Sequence, residues 1–136
     1  MTDAPTAVHG TRDDLLWLAG LLEGEGTFDL QRGIYPRIRL AMTDRDIVGR
    51  AASLMDTGIR LQHRPAPASS TWHAEVQGPR AAAIMRELLP FMGARRSQRI
   101  ADVLGVDVFR RTPGKRSMPG PALGRPLGVA KPATAA

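Results

Sequence analysis

Residues 18–26 read Leu18-Ala19-Gly20-Leu21-Leu22-Glu23-Gly24-Glu25-Gly26. Toward the N-terminus, Leu15 and Leu16 join Leu18, Ala19 and Leu22 in an apolar stripe at helical spacing. Thr11, Arg12, Asp13 and Asp14 precede it and put a capping hydroxyl and negative charge where a helix N-terminus favours them. The spacing predicts a helix that stops near Gly24 to Gly26. Beyond it the apolar period falls from about four to about two. Thr27, Asp29 and Gln31 alternate with Phe28 and Leu30; past a turn at Arg32-Gly33, Tyr35, Arg37 and Arg39 alternate with Ile34, Ile38 and Leu40. This pattern predicts a two-stranded hairpin with one wet face.

The theme then repeats. Thr43-Asp44 opens a second helix with Ile47, Val48, Ala51, Leu54 and Met55 at helical spacing, closed by Gly58. Ile59, Leu61 and His63 alternate with Arg60, Gln62 and Arg64; after the Pro65 to Ser70 loop, Trp72, Ala74 and Val76 alternate with Thr71, His73, Glu75 and Gln77. Gly78-Pro79 starts a third helix carrying Ala82, Ile84, Met85, Leu88 and Leu89 and halted by Pro90, and a fourth runs roughly from Arg95 to Phe109. The order is αββαββα plus a terminal helix. Residues 1–11 form an N-terminal extension, 12–110 the folded domain, and 111–136 a Pro-, Gly- and Ala-rich basic tail expected to be disordered.

Composition bounds the function. Of 136 residues 43% are apolar and 4% aromatic, enough for one small core of Leu, Ile, Val, Ala and Met. Phe28 and Trp72 belong to it by alternation, and Met42, Met55, Met85 and Met92 are packing residues rather than a cofactor box. Nineteen Lys and Arg against thirteen Asp and Glu give a net charge of +6 and a pI of 11.2, which favours a polyanionic partner, nucleic acid first. The bland alternative is a basic protein that merely stays soluble. Only Lys115 and Lys131 are lysines, so Arg carries the basic character, and the two cations differ in geometry and hydration. The absence of cysteine excludes disulfides, thiolate metal sites and cysteine nucleophiles. No apolar run approaches the roughly 18 residues of a membrane span, and Met1 to Arg12 lacks a signal-peptide core. The expectation is a soluble intracellular protein, cytoplasmic in a prokaryote or a phage-infected host, with no membrane partner and no small-molecule substrate.

Residues 18–26 resemble the LAGLIDADG signature of the homing endonuclease family, with Glu at both acidic positions in place of Asp. Trp17 before the motif and Thr27-Phe28 after it also look like family members. Pro36 to Gly58 is similar to the family's strand, Thr-Asp turn and helix, Trp72 to Gly78 to its last strand, and Leu88-Leu89-Pro90-Phe91 to Ile100 to its closing segment. The resemblance covers roughly residues 12–105. It implies an α+β, αββαββα LAGLIDADG homing-endonuclease fold with a saddle-shaped antiparallel sheet and a C-terminal helix. It also implies a single-motif homodimer that cuts a pseudo-palindromic double-stranded DNA site, in the service of intron or intein mobility.

The residues support parts of this on their own. Gly20 and Gly24 are one helical repeat apart and share a face, so two copies of the helix can approach closely there. Leu16, Ala19, Gly20, Glu23 and Gly24 are the expected dimer interface. By resemblance Glu25 holds a divalent cation, Mg²⁺ with Mn²⁺ as an alternative, and Gly24 adds a backbone carbonyl. Glu23, the earlier acid of the motif, is assigned to capping or interface contacts rather than to the metal. Arg95 falls where the family often has a Lys that organises water or offsets charge at the scissile phosphate, with Gln98 nearby. Arg offsets charge but is not a general base. Asp44 aligns with a polar position near the active site, the alternative being a helix N-cap.

The wet sheet face is the expected DNA surface. Arg37, Arg39, Arg60 and Arg64 suit guanine or phosphate, Gln31, Gln62 and Gln77 suit adenine, and Thr27, Asp29, Thr71, His73 and Glu75 add hydrogen-bonding groups. His63 alternates with the apolar set and is placed at a sheet margin, not at a metal. Two alternatives stay open beside the enzyme. One is a LAGLIDADG-like regulator or decayed endonuclease that binds without cutting, which Arg95 favours. The other, an RNA-binding maturase, fits less well because that type generally carries two motifs.

Overall fold

The chain has an α+β architecture with a four-stranded antiparallel sheet and four helices, seen in a computed structural model that describes residues 4–106. In chain order the elements are α1 (Arg12–Glu25), β1 (Gly26–Gln31), β2 (Tyr35–Met42), α2 (Arg45–Leu54), β3 (Ile59–Gln62), β4 (Thr71–Gln77), α3 (Pro79–Leu88), a 3-10 turn (Leu89–Phe91) and α4 (Ala94–Val106). Asp107–Phe109, where the fourth helix was expected to finish, and the basic tail lie outside the described residues.

Local chemistry explains most boundaries. Thr11 and Asp14 form a capping box at α1: the Thr11 hydroxyl accepts from Asp14 N at 3.1 Å, and Thr11 N donates to the Asp14 carboxylate at 2.9 Å. At the other end, Gly26 caps α1 and starts β1 in extended geometry. A Cβ there would lie 2.8 Å from Leu22 Cδ2 and 2.9 Å from Leu22 O, so the direct helix-to-strand joint requires glycine. The β1–β2 turn uses positive φ at Arg32 and Gly33 and sets the register Asp29↔Arg37 and Thr27↔Arg39. Ile34 departs from its expected place in the apolar alternation: it belongs to the three-residue turn and is 40% exposed. Pro79 occupies the first turn of α3, where its missing N–H leaves no bond unmade.

The strand order is β1-β2-β4-β3, so α2 carries the chain past β2 to the far edge, and β4 returns to pair with β2. Phe28, Ile38, Leu40, Ala74 and Val76 fill one sheet face and are at most 2% exposed. They meet Leu15, Leu18 and Leu22 of α1, Val48 and Ala51 of α2, Ile84, Met85 and Leu88 of α3, and Ile100 and Val103 of α4. Burying each large apolar side chain of this kind stabilises the fold by about 1.5–3 kcal/mol. Met55 and Met85 are fully buried, whereas Met42 and Met92 pack at the edge of the core. Trp72 differs from the expectation of a core residue. It pairs with Met42 and Leu61 toward one end of the sheet, is half-buried, and is covered by the Arg45 guanidinium 4.9 Å from its ring centroid.

The N-terminal extension is joined to the fold. The Glu87 carboxylate on α3 accepts from the backbone N–H of Thr6, Ala7 and Val8 at 2.7–2.9 Å and from the Thr6 hydroxyl at 2.9 Å. His9 N donates to Leu54 O at 2.7 Å, and Val8 is 1% exposed within the core. Burial opposes the charged form of Glu87, yet the four donors outweigh it and hold the carboxyl below its ordinary value of 4.5. A depressed folded value means that the carboxylate's stabilisation is present above pH 4.5 and lost as pH falls through the lower folded value. Glu87→Gln, which keeps only one accepting oxygen, should lower stability by about 1–3 kcal/mol at neutral pH and flatten the acid limb of a thermal-melt series. An unchanged acid limb would mean that the charge of Glu87 contributes nothing to holding the N-terminal strap.

Candidate functional site

The strand register brings the expected polar residues onto the sheet face opposite the core. Across β1, β2 and β4 the rows run Thr27–Arg39–Glu75 and Asp29–Arg37–Gln77, with Gln31 opposite Tyr35. On the far side, Arg60 faces His73 and Gln62 faces Thr71. Arg64 and His63 lie just past the end of β3, in the 63–70 loop, so Arg64 reaches the surface from the loop rather than from the strand as the alternation predicted; its N–H bonds to the Ser70 hydroxyl at 3.2 Å.

Charges on this face are organised around Asp29. Arg37 donates to its carboxylate twice, Nε to Oδ1 at 2.8 Å and Nη2 to Oδ2 at 3.1 Å, and Arg39 Nη2 donates to Oδ2 at 2.6 Å. Burial alone would raise the Asp29 carboxyl, but the two guanidiniums reverse the effect and hold it below the usual carboxylate range. Gln77 donates to Glu75 within β4. His73 shares a 2.8 Å hydrogen bond with the Thr71 hydroxyl. Its pKa is lowered, first by desolvation and then by Arg60, Arg64 and Arg39, which outweigh Glu75. The imidazole is therefore neutral at pH 7 in a field dominated by arginines.

Two further groups of candidates meet at the C-terminal end of α1. The pairing Gly26↔Leu40 sets Glu25 at the same end of the sheet as the Met42-to-Asp44 connection into α2. Glu25 is exposed, and among the described residues it has no hydrogen bond or ion pair. Asp44 stands at the N-cap position of α2, but its side chain makes no capping bond; Oδ1 accepts from the Thr43 hydroxyl at 3.2 Å. Gly24 is exposed, and a Cβ placed on it or on Gly20 meets nothing within 4 Å. Leu16, at 40% exposure, continues that open strip. Ala19, expected at the same surface, is 2% exposed and belongs to the chain's own core. It sits one repeat from Leu15 and Leu22, about 100° round the helix from Gly20.

Glu23 is committed within the chain: its Oε1 accepts from Gly93 N at 2.8 Å, and its backbone carbonyl accepts from Arg96 Nε at 3.0 Å. These contacts tie the start of α4 to the end of α1 and satisfy a terminal helix carbonyl. Arg99 Nε likewise donates to Phe28 O at 2.8 Å. Arg96 and Arg99 are the organising residues that sequence reading missed, because nothing local distinguishes them from Arg95. Arg95 and Gln98 line a cleft with Thr27, Asp29 and Asp102 that Glu25 and Asp44 do not enter, and Gln98 Nε2 donates to Asp102 Oδ1 at 2.9 Å.

Net charge does not single out this surface. Arg110, Arg111, Lys115, Arg116, Arg125 and Lys131 against Asp107 place +5 of the total +6 in residues 107–136. The ordering of the arginines on the sheet is the stronger indication. No family model matches the chain, and no curated protein matches it. Among the described residues no helix is long and apolar enough to cross a membrane.

Proposed function

We propose that the chain is a site-specific, divalent-metal-dependent DNA endonuclease of the LAGLIDADG type, acting as a homodimer on a pseudo-palindromic duplex. The observation that carries this reading is the junction of α1 with β1. The helix ends on Glu25, a carboxylate without a partner among the described residues, and the next residue begins a sheet whose open face holds Arg37, Arg39 and Arg60. A carboxylate at the C-terminal end of a helix faces the negative end of the macrodipole, which is unfavourable unless a cation offsets it. The element order αββαββα with a terminal helix is compatible with the fold that the resemblance implies, with the sheet laid as a saddle along the major groove.

Among the described residues no three of His, Asp and Glu gather as metal ligands. One chain therefore offers Glu25 and the Gly24 carbonyl as part of a site, and the remaining oxygens would come from a second copy across the open Leu16–Gly20–Gly24 strip and from DNA phosphate. Those two groups fit a hard, oxygen-preferring ion such as Mg²⁺ or Mn²⁺. When bound, such an ion stabilises charge on the phosphate oxygens. Arg95, in the separate cleft it shares with Gln98, would add fixed positive charge toward the bound duplex, the sheet arginines would hold the duplex in register, and Asp44 would supply a hydrogen-bond acceptor at the same end of the sheet as Glu25.

The test is selection of duplexes from a randomised palindromic library, followed by incubation with Mg²⁺, Mn²⁺ or EDTA. Both strands should be cut only with metal, and binding should persist in EDTA. Arg60→Ala should weaken binding to all sequences and reduce the salt slope by about one. A defined site bound but never nicked would establish the regulator reading, which the arginine at position 95 favours. No duplex binding at low salt would end both.

A further inference from the structure

We infer that Asp29 is a positioning residue that locks Arg37 for reading one guanine in each half-site. The inference rests on the DNA-binding reading above and assigns a base specificity within it. Arg37 stands on the central strand β2, flanked by Asp29 on β1 and Gln77 on β4. Its Nε and Nη2 both bond to the Asp29 carboxylate, and its side chain is 21% exposed. This side-on grip fixes the guanidinium plane and leaves the Nη1–Nη2 edge without a partner among the described residues. That edge carries parallel donors whose spacing matches the O6 and N7 acceptors of guanine in the major groove.

The same edge also matches a phosphate, and electrostatics decides between the two. Arg37 and Arg39 share the Asp29 carboxylate and Arg37 also lies in the field of Glu75, so two acids offset two guanidiniums, and a carboxylate beside a phosphate repels it. Neutral base acceptors carry no such penalty. Arg39 fits the phosphate role better: it is 47% exposed and uses only Nη2 on Asp29.

The experiment compares sites selected from a randomised duplex library by the native protein, Asp29→Asn and Arg37→Ala, with discrimination at each position read by competition. The native protein should prefer guanine at one position of each half-site by about 5- to 100-fold. Arg37→Ala should abolish that preference. Asp29→Asn should reduce it to a few-fold or less while raising non-specific affinity and steepening the salt dependence, because two arginines are released toward phosphate. In the Arg37→Ala background, Asp29→Asn should have no further effect on that base, a comparison that holds even if both single variants are less stable. A native guanine preference that survives Asp29→Asn, or a selected site with no base dependent on Arg37, overturns the inference and leaves the DNA-binding reading standing. Selection of no sequence at all overturns both.

Discussion

Glu25→Gln is expected to abolish DNA cutting while leaving site binding intact or tighter. The side chain keeps its size and a hydrogen-bonding oxygen but loses the charge that would hold a cation. Losing several kcal/mol of charge stabilisation corresponds to a fall in cleavage rate of roughly a thousandfold or more. Binding should not suffer, since the substitution removes an anion from beside the phosphates. Folding should not suffer either, because Glu25 is exposed, has no partner among the described residues, and faces the unfavourable end of α1. Glu23→Gln provides the contrast. That carboxylate bonds to Gly93 N, so its replacement should loosen the α1–α4 joint and lower the melting temperature with a far milder effect on cutting. Native-rate cleavage by Glu25→Gln would remove the metal assignment.

Gly20→Leu is expected to separate the dimer without unfolding the monomer. A Cβ at Gly20 meets nothing within 4 Å in the chain itself, so the larger residue projects into open space on the strip shared with Leu16 and Gly24. In a two-fold interface each substitution occurs twice, and overpacking at about 1–3 kcal/mol per copy weakens self-association by about thirtyfold or more. Within the monomer, replacing a helical glycine gains up to about 1 kcal/mol of helix propensity. Sedimentation velocity should therefore show monomers whose thermal stability is equal to or above that of the native chain. Native protein that sediments as a monomer even on DNA would refute the homodimer, and a Gly20→Leu dimer of native affinity would move the interface off α1.

Short-range chemistry made several elements legible in the sequence. The Thr11–Asp14 box marks the start of α1, and Pro79 marks the start of α3. The two-residue period of Thr27, Asp29, Arg37, Arg39, His73 and Glu75 assigns these residues to one sheet face, and the register confirms that they share it. In each case the information lies within a turn, a cap or a strand's alternation, over which side-chain direction follows from backbone geometry. The same reasoning misplaced Ile34, whose turn takes three residues, and Ala19, whose rotation around α1 puts it among Leu15, Leu18 and Leu22.

Other features depended on contacts between residues far apart in the chain. Glu87 holds Thr6 across 81 positions, Glu23 meets Gly93 across 70, and Arg99 meets Phe28 across 71. Nothing near Glu87 marks it as the anchor of a strap, and nothing near Arg95, Arg96 and Arg99 shows which two would be spent on backbone carbonyls. Asp29 lies between these cases. Its sequence position predicts a polar neighbour on the sheet, but only the three-dimensional register sets it directly opposite Arg37 and diagonal to Arg39. The sequence by itself determined the order of helices and strands and which strand face is wet, but not every strand end, as Ile34 and Arg64 show. Tertiary structure decided which charged groups are occupied and which, like Glu25, are left open, because a carboxylate's partner is set by where distant elements dock and not by its own neighbours in the chain.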